Sequence, residues 1–129
     1  MQRRGYEVFR GAACAKACAR VRTAALAEAA ARPWTERLRE ALSSEIRAPW
    51  RRAHVALDLT DDVKTVLAAA TARAAPSLST AGLDDGSHLV ELSCMIAFPG
   101  ATEQAAHADV PRDTQTPTCT LWVLLQDVG

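Results

Sequence analysis

The hydrophobic pattern changes period partway along the chain, and that change limits the fold more than any other feature. Up to Pro76 apolar residues recur every three or four positions; after the turn-forming stretch GLDDGS, residues 82–87, they alternate. The first period belongs to helices that bury one stripe, the second to strands with two distinct faces. An α+β domain follows, with 1–76 mainly helical and 87–129 supplying β-strands.

Three helices are expected. Cys14, Cys18, Val21 and Ala25 fall on one face of the first. Pro33 suits the first position of a second, whose stripe is Trp34, Leu38, Ala41 and Leu42 and whose end is limited by Pro49. Thr60 is the expected N-cap of the third, Asp61 and Asp62 suit the positive end of its dipole, and Val63, Val66, Leu67 and Ala70 form its buried stripe. This helix should stop near Pro76. Ahead of all three, Tyr6 and Val8 between Gly5 and Gly11 suggest a short first strand.

In the second half, Val90, Leu92, Cys94, Ile96 and Phe98 share the core face of a strand. Leu89, Glu91, Ser93, Met95 and Ala97 share the other, a mixture that fits either a cavity wall or an exposed sheet face. The segment CTLWVLLQDV, residues 119–128, is apolar almost throughout and is expected to be a strand buried on both sides.

Fifteen basic and fifteen acidic residues cancel, yet Arg3 to Arg52 is basic and everything from Asp58 onward is acidic. Interleaving of the arginines with Glu28, Glu36, Glu40 and Glu45 at helical spacing reads as solvated helix faces, so no nucleic-acid partner is expected. No run approaches the roughly 20 apolar residues of a membrane span, and no charged-then-apolar signal opens the sequence. Cys14, Cys18, Cys94 and Cys119 lack paired C-x-x-C spacing; they are expected to be small buried residues of a reducing intracellular compartment, the cytoplasm included.

The chemistry concentrates in PGATEQAAHADVP, residues 99–111. In an extended segment His107 and Asp109 point to one side, so an imidazole nitrogen and a carboxylate oxygen can reach one ion, as in the two-histidine, one-carboxylate sites of non-haem iron. By itself the pair also describes a solvated loop. With its context, LVELSCMIAFPGATEQAAHAD followed by CTLWVLLQDV and preceded by GYEVFRG and a Cys/Ala helix, the sequence resembles the phytanoyl-CoA dioxygenase family of Fe(II)- and 2-oxoglutarate-dependent oxygenases.

That resemblance implies N-terminal helices packed on the first strands of a double-stranded β-helix (jelly-roll) core. It implies His107 and Asp109 as iron ligands, 2-oxoglutarate and dioxygen as co-substrates, and a small hydrophobic molecule as the substrate oxidised. Ser93, Met95, Gln104 and Trp122 are the residues expected to line the cavity. In the family a second histidine and the arginine that holds 2-oxoglutarate come from later strands. His54 and His88 both precede the motif and Arg112 lies in its loop, so the expectation is a fragment of a longer oxygenase domain, inactive as the chain stands. The alternatives are a non-catalytic remnant or interaction module presenting Arg20, Arg32, Arg39, Arg51 and Arg52 to a partner, and a metal hydrolase using His107, Asp109 and Asp113.

Overall fold

A computed structural model describes residues 6–31, 51–102 and 117–127. Its elements run α1 (Ala15–Ala31), β1 (Arg52–Ala56), α2 (Asp61–Thr80) and β2 (Ser93–Ala97). The strands pair antiparallel, Arg52 opposite Ala97 and Ala56 opposite Ser93. Leu57 N–H donating to Leu92 O and Phe98 N–H donating to Arg51 O carry the same register one residue beyond each end. The fold is therefore α+β, a two-stranded sheet and two helices among the described residues. The second helix expected from Pro33 lies outside them.

Helix α1 buries Ala17, Cys18, Val21, Ala25 and Ala29; of the expected stripe Cys18, Val21 and Ala25 are buried, while Cys14 is exposed. Its first half meets Val63 and Val66 of α2; Ala29 meets Ala53 and Val55 of β1. Among the described residues the buried core is built of alanine, valine and a single cysteine, with Val55 the largest side chain fully enclosed. Burying a valine side chain is worth about 1.5–3 kcal/mol, so Val21, Val55, Val63 and Val66 carry most of the burial energy. The alanines allow the backbones to approach closely, and Leu57, Leu92, Ile96 and Phe98 close the two clusters from the sheet side.

Helix α2 begins as expected: the Thr60 backbone is extended and its hydroxyl accepts from Val63 N–H at 3.3 Å. It does not stop near Pro76 but runs through it to Thr80. Proline costs a helix the hydrogen bond to the carbonyl four residues back, here Ala72, a loss confined to the last turn. What ends α2 is Gly82, at φ +83°, whose N–H donates to Ser79 O while Leu83 N–H donates to Leu78 O. These two bonds form a Schellman motif, which needs a left-handed residue where glycine stands.

Four further expectations are corrected. Residues 6–9 form no strand: Tyr6 and Val8 are exposed, and the segment is tied to α2 by a hydrogen bond from Ser77 Oγ to the Glu7 carboxylate. Residues 119–127 are not a doubly buried strand. Leu121, Val123 and Leu125 are half-buried, Val123 and Leu125 packing on the α1–α2 cluster, while Trp122 and Leu124 face out. Among the described residues the α1–α2 cluster is what this segment packs on, and alternate residues meet it. Of the four cysteines, Cys18 is buried and Cys94 half-buried, but Cys14 and Cys119 are exposed. Finally, β1 lies within the part expected to be mainly helical.

Replacing Thr60 by Ala removes the cap of α2 and is expected to cost about 1 kcal/mol, read as a lower urea midpoint with unchanged slope.

Candidate functional site

The strand β2 keeps the expected two faces over 92–98. Leu92, Cys94, Ile96 and Phe98 turn toward the core, although Val90, assigned to the same face, is 93% exposed. The other face proves to be the open face of the sheet. Ser93 and Met95 lie on it, Met95 opposite His54 of β1. Glu91 holds the two strands together there: its Oε1 accepts from Ser93 Oγ at 3.0 Å and lies 3.2 Å from His54 Nε2. Trp122, also expected at a cavity, is exposed on the segment that packs against the helices.

At the end of β2 the chain turns sharply. Ala101 N–H donates to Phe98 O at 2.9 Å, with Pro99 and then Gly100 at φ +80° between them. Proline followed by a left-handed glycine is the signature of a type II turn. Two adjacent arginines grip it from β1's leading end: Arg51 Nη1 donates to Pro99 O at 2.6 Å, and Arg52 Nη2 donates to Thr102 O. The Arg51 guanidinium lies so close over Gly100 that a Cβ there would come within 2.8 Å of Nη1. The arginines that fix this turn were not legible in the sequence, because they lie about fifty residues earlier.

This turn starts the stretch toward Gln104, His107 and Asp109, which lie outside the described residues. Among the described residues no group of three or more His, Cys, Asp or Glu side chains is placed to hold a metal ion. His88 is exposed, and His54 is engaged with Glu91.

A cleft of ≈ 280 Å³ that sequence reasoning missed lies between α1, the end of β1 and the start of α2. Its floor is Val21, Ala25, Val55 and Val63, and its charged rim is Arg20, Glu28, Asp58 and Asp62. Arg20 Nε donates to both Asp62 oxygens, at 2.7 and 2.8 Å, and Nη2 donates to Oδ1. These hydrogen bonds, with the guanidinium charge behind them, hold the Asp62 carboxyl below its ordinary value and raise Arg20. Forty-two residues separate the partners, so no spacing rule reveals the pair.

Arg20, Arg51 and Arg52 are thus committed inside the molecule, to a carboxylate and to two carbonyls. Of the basic surface considered from the sequence, Arg32 and Arg39 lie outside the described residues.

Because the folded-state value of Asp62 is depressed, its contribution is complete above the ordinary 3.8 and is lost as pH falls through the lowered value. Asp62→Asn should therefore be less stable than the parent at neutral pH, with the difference closing below about 3.8, as followed by urea unfolding across pH. Comparison of the chain with protein-family models, with curated proteins and with solved structures finds no match.

Proposed function

We propose that the chain carries the front part of an Fe(II)- and 2-oxoglutarate-dependent dioxygenase domain of the phytanoyl-CoA dioxygenase type, with His107 and Asp109 as two of its metal ligands. The resemblance of residues 89–128 to that family suggests it. The observation that supports it is the clamped turn: the segment leading to the H-x-D pair leaves β2 from a point fixed by Arg51 and Arg52. A metal-ligand pair needs such a fixed origin, since loss of positional precision at a supporting shell weakens the site.

One imidazole and one carboxylate are the donor kinds an iron(II) facial site takes, and two of its three protein donors. When bound, iron with 2-oxoglutarate and dioxygen supplies the oxidising power for cleaving a substrate C–H bond. The chain's own task is to hold and orient. His107 and Asp109 supply the ligand atoms, and Gln104 precedes them in the same approach. Ser93 and Met95 offer a mixed polar and apolar strand face, which suits a small hydrophobic substrate. In the resembled family the second histidine and the arginine that anchors 2-oxoglutarate follow on later strands. A jelly-roll core and a reducing intracellular compartment, the cytoplasm included, belong to the same proposal.

Among the described residues no helix is long and apolar enough to cross a membrane.

Cobalt(II), whose visible absorption reports its ligands, is the probe. Titration of the chain should give a spectrum that Asp109→Ala and His107→Ala each abolish while the helical circular dichroism is unchanged. Identical spectra from the parent and both variants would rule out the ligand pair.

A further inference from the structure

We draw no further inference here: the strongest candidate, the apolar surface patch that Trp122 and Leu124 expose on the segment packed against the α1–α2 cluster, carries nothing because nothing in the structure shows what covers it.

Discussion

The described fold depends on how closely α1 can lie against its neighbours. Three of its five buried residues are alanine, and at Ala29 it meets another alanine, Ala53, with no exposed surface left on the latter. Through that stripe α1 supplies buried residues to both clusters, with α2 at its first half and with β1 at its last turns. A larger residue at 29 or 53 would push helix and strand apart, and the two-stranded sheet has no further described layer to take up the strain. A small-residue core of this kind gains less from burial per residue than a leucine core does. Its gain lies in geometry, because it brings the backbones close enough for side-chain clamps between distant segments to form.

Those clamps draw on the arginines of the basic first half and reach into the second. Arg20 crosses from α1 to Asp62 on α2, Arg22 from α1 to Gln126, and Arg51 and Arg52 from β1 to the turn after β2. Arginine suits this work because its planar fork satisfies a carboxylate through two bonds at once or reaches separate carbonyls. Each of these contacts joins segments far apart in sequence.

What was readable from the sequence was local, and what was missed was mostly paired. The Thr60 cap, the α1 stripe from Cys18 onward and the two faces of 92–98 each follow from spacing within a few residues, and each is present. Strand β1 was overlooked although Ala53, Val55, Leu57 and Leu59 alternate with Arg52, His54, Ala56 and Asp58. That period-two signal is short, and it sits between a proline-limited helix and a helix cap. Pro76 was given too much weight against Gly82, which satisfies carbonyls at the end of α2 instead of removing a donor from it. The doubly buried strand expected at 119–128 failed because apolar composition states what a segment prefers, not whether two surfaces exist to cover it. Of the candidate site, the face shared by Ser93 and Met95 was legible. The Arg51 and Arg52 clamp and the His54–Glu91–Ser93 contact were not, since each needs the β1–β2 register to be known first.

The same register sets how the turn relates to the rest of the molecule. The turn that leads toward His107 and Asp109 hangs from the end of the sheet where Arg51 meets Phe98, beside the cluster of Ala29, Ala53 and Val55. Cys14 and Cys18 sit at the opposite end of α1, where Cys18 packs with Val63 and Val66. Seventeen residues of helix separate those ends, about 25 Å of rise. The stripe of α1, packed on α2 through its first half and on β1 through Ala29, is the described element that joins the two clusters.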